Sequence, residues 1–284
     1  MTGGRVLVAG GGGMLGQDLA QALEGRDATI LARAQLDITD PAAVDAAVEG
    51  HDVVVNAAAY TRVDDAESDE AAALAINGTG AGNLAAAAAR HGATIIQVST
   101  DYVFDGSATS PYDEDAPIAP RSAYGRTKAE GERLVALENP DRHIIVRTAW
   151  LYGAGGPNFA RTMLRLAKDH ETVSVVTDQV GQPSWTADVA ASIVRLIDAD
   201  IERGIFHATN AGSASKFDFA RAVFEVAGLD PSRVHPTDSA AFVLPAPRPA
   251  YSVLGHGTWA AAGLAPLRDW REALEAAATA GVLH

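Results

Sequence analysis

The stretch Arg5-Val6-Leu7-Val8-Ala9-Gly10-Gly11-Gly12-Gly13-Met14-Leu15-Gly16 decides the fold. Val6 to Ala9 form a short continuous apolar run, as expected of a strand covered on both faces. A turn made only of glycine follows, and residues 14–23 then take up the helical period. A strand that turns sharply into a helix leaves backbone N–H groups and the positive helix end where a pyrophosphate can sit. Gly10 permits the tight turn and Gly13 removes a Cβ that would hold phosphate oxygens away. Gly16 lets the helix lie close on the strand. Four consecutive glycines satisfy several versions of the glycine-rich motif, so its weight comes from the strand and helix on either side. With those flanks, dinucleotide binding is a better reading than a turn that merely packs.

Outward from this unit, strand-like and helix-like runs alternate through the first two-thirds of the chain. That alternation predicts an α/β fold, a doubly wound, Rossmann-type parallel sheet. Strands are expected at 28–32, 52–56, 93–99 and 143–148. Asp40-Pro41 reads as an N-cap with proline at the first helical position. An alanine-rich helical region spans about 70–91, interrupted by Gly78, Gly80 and Gly82, and a further helix spans about 122–137. After Trp150 the alternation loosens, and a smaller C-terminal α/β substrate domain is expected. Residues 1–150, with about 172–210 returning, would form the dinucleotide-binding domain; 151–171 and 211–284 would form the other. The proline-rich piece 244–249 reads as a stiff linker.

The 284 residues carry a formal charge of −14, from 36 acids against 22 bases. So acidic a chain is not expected to bind nucleic acid or an anionic membrane, although backbone groups can still hold a small phosphate-bearing ligand. With no cysteine, thiolate nucleophiles, disulfides and zinc–thiolate sites are excluded. No apolar run reaches membrane-spanning length, and the chain runs from Met1 almost directly into the first strand. No leader is expected, a cytoplasmic location is the default, and a homodimer is allowed. The eight histidines, His51 to His284, show no ligand spacing, and the acidic run 64–70 reads as a solvated helix start.

Tyr124-Gly125-Arg126-Thr127-Lys128 carries the chemistry. Positions i and i+4 share a helix face, so phenol and ammonium are expected side by side. A neighbouring cation would lower the phenol pKa toward neutrality. Ser99-Thr100 closes the preceding strand at the carboxyl edge, where ligands of open α/β sheets bind. Hydroxyl, phenol and ammonium beside a dinucleotide suit hydride transfer at a carbonyl carbon. At the end of the second strand Arg33 stands where an arginine accommodates a 2′-phosphate; this favours NADPH and leaves NADH open.

These motifs, with Asn56-Ala57-Ala58-Ala59-Tyr60-Thr61 and Ser99-Thr100-Asp101-Tyr102-Val103-Phe104-Asp105-Gly106, resemble the extended short-chain dehydrogenase/reductases and, more narrowly, the dTDP-4-dehydrorhamnose reductase family. The likeness continues through residues 147–153, 158–160, 178–183 and 248–252, covering nearly the whole chain. It implies reduction of the C4 ketone of dTDP-4-dehydro-L-rhamnose to dTDP-L-rhamnose. Tyr124 would donate the proton, Lys128 would tune it and bind the nicotinamide ribose, and Thr100 would orient the ketone. The resemblance places Gly13, Met14 and Leu15 on the pyrophosphate, Asp37 and Ile38 at adenine, and Ala58, Ala59 and Tyr60 along the cofactor. Thr100, Asp101 and Trp150 match sugar-contacting positions, and Arg248 is the candidate for the nucleotide diphosphate. Sugar-nucleotide dehydratases carry a glutamate where this chain has Tyr102, which argues for reduction over dehydration. Lys216 departs from a tryptophan common in the family, and Asp18 matches one ligand of a magnesium site found in some members, although no metal is predicted. The rival readings are a cofactor-binding regulatory subunit, like that of methionine adenosyltransferase, and a reductase or epimerase of another nucleotide-sugar.

Overall fold

The computed structural model describes residues 4–283; the chain start and His284 lie outside it. Its centre is a six-stranded parallel sheet. The strands are β1 (Val6–Ala9), β2 (Ala28–Leu31), β3 (Val53–Asn56), β4 (Thr94–Thr100), β5 (His143–Thr148) and β6 (Gly204–His207). Their order across the sheet is β2-β1-β3-β4-β5-β6. β1 pairs with β2 on one side and β3 on the other, Val6 opposite both Ala28 and Val53. The chain reverses direction across the sheet at this point, opening a crevice at the carboxyl ends of β1 and β3.

β1 is uniformly apolar because both of its faces are covered. Val6 and Val8 join a core with Leu19 of α1 (Met14–Ala22) and Ile193 of α8 (Thr186–Asp198); Leu7 and Ala9 join one with Val44 and Leu84 on the other face. The helices of this half follow local signals. Asp40 caps α2 (Pro41–Val48) by accepting from the Ala42 and Ala43 amides. Ser122 caps α6 (Ala123–Glu138) through the Gly125 amide. After α3 (Val63–Ser68), the glycine-interrupted region is not one helix but three pieces: α4 (Glu70–Leu74), a π-helical segment Ala75–Gly80, and α5 (Ala81–His91). No described helix is long and apolar enough to cross a membrane.

A second core gathers α7 (Phe159–Asp169), α9 (Lys216–Val226) and α11 (Trp270–Thr279) around Phe219 and Phe224. Three details depart from the expected organisation. The strand Val173–Val176 pairs with Val234–Thr237 in this second core rather than returning to the central sheet. Its exposed Ser174 between buried Val173 and Val175 marks a strand covered on one face only. The return starts instead near Ser184–Trp185 and α8, and ends with β6. Conversely, Trp259 of α10 (Gly257–Ala261) and Leu267 pack into the first core. The proline-rich piece is a strap, not a linker. The Ala246 amide donates to Asp64, the Ala250 carbonyl accepts from Val180, and Pro249 presses on Gly106.

Candidate active site

The carboxyl ends of the strands open into a cleft of about 1140 Å³. At its dinucleotide end Gly10 has φ +91°, and a Cβ there would strike the Ala58 backbone nitrogen. A Cβ on Gly16 would strike the Gly10 carbonyl, so this glycine sets the close approach of helix to strand; it does not line the cleft. α1 begins after Gly13 with no side chain of the described residues capping it. A cradle that only glycine can form, at an uncapped helix end, fits a pyrophosphate. Gly10, Gly13, Met14 and Leu15 line it.

Arg33, Asp37, Ile38, Ala58 and Ala59 line the same cleft. Asp37 accepts from the Thr39 amide (3.0 Å) and hydroxyl (2.7 Å), which hold its carboxyl below the usual range. The Ile38 side chain is buried against Gly80, flooring the cleft. Tyr60 departs from expectation. Its ring is buried with Ala66, Ala73 and Ala123, its amide donates to Asn77 at 2.8 Å, and it does not line the cleft.

At the reacting end the cleft is lined by Thr100, Tyr124 and Lys128. Thr100 comes from the last residue of β4, and the other two stand one turn apart on α6. The Thr100 hydroxyl donates to Asp101 Oδ1 at 3.0 Å and accepts from the Tyr102 amide. Lys128 is buried, and its ammonium donates to the Val98 carbonyl at 2.7 Å. Burial lowers its pKa to about 8, with Glu132 pulling the other way. The Tyr124 phenol moves opposite to the expected direction. Burial pushes it up to about 12, against the hydrogen bond with Thr100 and with the charge of Asp101. The phenol therefore keeps its proton at neutral pH, the state a proton donor requires.

Beneath these groups lies a buried network that the sequence reading did not find. Ser99 donates to Glu132 at 2.5 Å, and Glu132 receives two bonds from Arg147, at 3.0 and 2.8 Å. Arg147 also donates to the Glu114 carbonyl and approaches His207 at 3.4 Å. Burial and Arg147 hold His207 neutral, with a pKa lowered to about 3. The available signal was Glu132 standing one turn beyond Lys128, with Arg147 on the next strand.

On the sugar side Asp101 and Trp150 line the cleft. Asp101 is buried, its Oδ2 has no hydrogen-bond partner among the described residues, and burial pushes its pKa up to about 6 against Ser252, Thr100 and Lys216. Tyr102 packs edge-on against Tyr124, with ring centroids 5.6 Å apart. Arg248 does not line the main cleft. It lines an adjoining cavity of about 200 Å³ that shares Tyr102, and it is paired with Asp64 at 2.6 Å. Asp18, the lone match to a metal ligand, faces Thr186.

Comparison with known proteins agrees with this geometry. Residues 4–282 match the family model of the RmlD substrate binding domain. The chain is 53% identical over 278 residues to a dTDP-4-dehydrorhamnose reductase of Streptomyces griseus, spanning 95% of this chain and 91% of the relative. It is 48% identical over 274 residues to a dTDP-4-keto-6-deoxy-D-glucose reductase of Streptomyces niveus, spanning 95% of each. A dTDP-4-dehydrorhamnose reductase of Bacillus anthracis, solved in complex with NADP, superposes with a TM-score of 0.93 at 38% identity, covering 97% of this chain and 99% of that one. A Rossmann-type sheet, a glycine cradle and a cleft holding threonine, tyrosine and lysine, matched from end to end by such relatives, make the chain a member of the dTDP-4-dehydrorhamnose reductase family of oxidoreductases.

Proposed function

We propose that this protein reduces the C4 ketone of dTDP-4-dehydro-L-rhamnose with NADPH, giving dTDP-L-rhamnose. The observation that carries the reading is a proton-loaded Tyr124 and the Thr100 hydroxyl in the same cleft as the glycine cradle. Gly10, Gly13, Met14 and Leu15 would hold the pyrophosphate, and Arg33 the 2′-phosphate. When bound, the cofactor supplies hydride to the ketone carbon. The Thr100 hydroxyl orients the carbonyl oxygen, and Tyr124 delivers the proton to it. Lys128, charged below about pH 8, offsets the negative charge left on the phenol. The diphosphate would draw Arg248 away from Asp64. The sugar assignment follows the relative of highest identity quoted above, and the Streptomyces niveus enzyme names a competing substrate.

The test is turnover by purified protein. NADPH oxidation is expected only when the 4-keto sugar nucleotide is added. Tyr124→Phe should lower kcat by about 10²–10⁴-fold while NADPH binding survives. Tight NADPH binding by the wild type, with no turnover on any keto-sugar nucleotide, would favour a regulatory subunit instead.

A further inference from the structure

Trp150 is held in an uncommon conformation. Its φ of +45° lies in the left-handed region, which a bulky residue enters only when its surroundings enforce it. Two neighbours do so. Gly181 leaves a slot for the indole: a Cβ there would stand 2.6 Å from Trp150 Cε2. Lys216, the first residue of α9, places its ammonium 3.4 Å from the centroid of the Trp150 ring and 4.8 Å from that of Phe159. Both distances lie within the reach of a cation–π contact.

Lys216 is also fixed through its backbone. The Lys216 amide donates to the Gln179 carbonyl, and α9 starts with a reciprocal capping box between Ser215 and Asp218. Phe159 stacks on Phe219 at 5.4 Å, so Lys216 joins the second core to the wall of the cleft. Burial lowers the ammonium's pKa to about 7, Asp101 raises it and Arg248 lowers it.

We infer that Lys216 is a positioning residue for the sugar pocket: its ammonium, seated on the Trp150 ring, holds the indole in the cleft wall and so sets which keto-sugar the enzyme accepts. Lys216 acts through Trp150, which lines the cleft with Asp101 and Thr100, whereas Lys216 does not line it. The inference rests on the reductase reading above and adds the element that discriminates among sugars.

The test is a double-mutant cycle on Lys216 and Trp150, read as KM for dTDP-4-dehydro-L-rhamnose, kcat, and NADPH affinity. Lys216→Met is expected to raise the sugar-nucleotide KM about tenfold, with kcat within about threefold and NADPH affinity unchanged. Its preference over dTDP-4-keto-6-deoxy-D-glucose should fall by a similar factor. Lys216→Arg, which keeps a cation on the ring, should restore KM to within about threefold. In a Trp150→Ala background Lys216→Met should add no further rise. A KM within twofold of wild type, no rescue by arginine, or fully additive effects would each overturn the inference. If Lys216→Met no longer binds NADPH, Lys216→Gln replaces it in the cycle, and loss of NADPH binding in both overturns the inference as well. A wild type without turnover refutes the assigned reaction; the same cycle is then read as sugar-nucleotide affinity by calorimetry.

Discussion

Tyr124 and Lys128 show how burial moves neighbouring groups in opposite directions. An uncharged phenol and an uncharged amine are both favoured, so the phenol rises to about 12 and the ammonium falls to about 8. The i, i+4 spacing was legible, and the two side chains share the cleft as expected. The direction of the phenol's shift was not legible, because it depends on what covers the ring. A pH dependence follows for Lys128. Its charge is lost as pH rises through about 8, so kcat/KM for reduction should fall on that limb. In the unfolded chain a lysine keeps its proton to about pH 10.4. Between these limits the unfolded state binds more protons, so the Lys128 contribution to stability rises with pH. Rate measurements and urea unfolding between pH 7.5 and 10 should therefore diverge; a flat rate limb would show that the charge of Lys128 is not needed.

At the level of elements, the glycines between 70 and 92 mattered more than as interruptions. The π-helical segment presents Asn77 inward, where it bonds the Tyr60 amide and carbonyl and the Thr127 hydroxyl. α6 approaches so closely that a Cβ on Gly131 would strike the Asn77 carbonyl. Gly131→Ala should therefore cost about 1–3 kcal/mol and push out the helix that carries Tyr124 and Lys128, lowering kcat as well. Gly25 makes a useful contrast: its φ is +81° and a Cβ there would meet no atom of the described residues within 4 Å. Gly25→Ala should cost only about 1 kcal/mol of backbone strain and leave kcat untouched. Chemical denaturation with parallel kinetics separates the two; equal kcat values would refute the helix displacement.

Across the whole molecule, the Arg147–Glu132 pair ties three strands and α6 together. Arg147 is on β5, Glu132 on α6, Ser99 on β4 and His207 on β6. Both charges are almost completely buried, at 3% and 8% side-chain exposure, so leaving one alone is costly. Glu132→Gln should destabilise by about 3–5 kcal/mol. For a chain of this size that lowers Tm by about 5–8 °C. Replacing both members with apolar residues should recover much of the loss. Calorimetry of the single and double variants checks this, and a double variant no more stable than the single would refute the account. The exposed pairs, such as Arg90–Asp45, should by contrast change stability little when broken, because water screens them.

The glycine turn between β1 and α1, the Asp40 cap and the spacing of Tyr124 and Lys128 could all be read directly from the chain. Each of these is set by residues within about one helical turn of one another, where steric and hydrogen-bonding rules act directly. Long-range packing was needed to put Val173–Val176 in the second core, to bury Tyr60 with Ala66 and Ala73, and to bring Arg248 onto Asp64. The same packing seats Lys216 on Trp150 and pairs Glu132 with Arg147. These contacts join residues far apart in the chain, and they exist only once the sheet order and the packing of the second core have placed them.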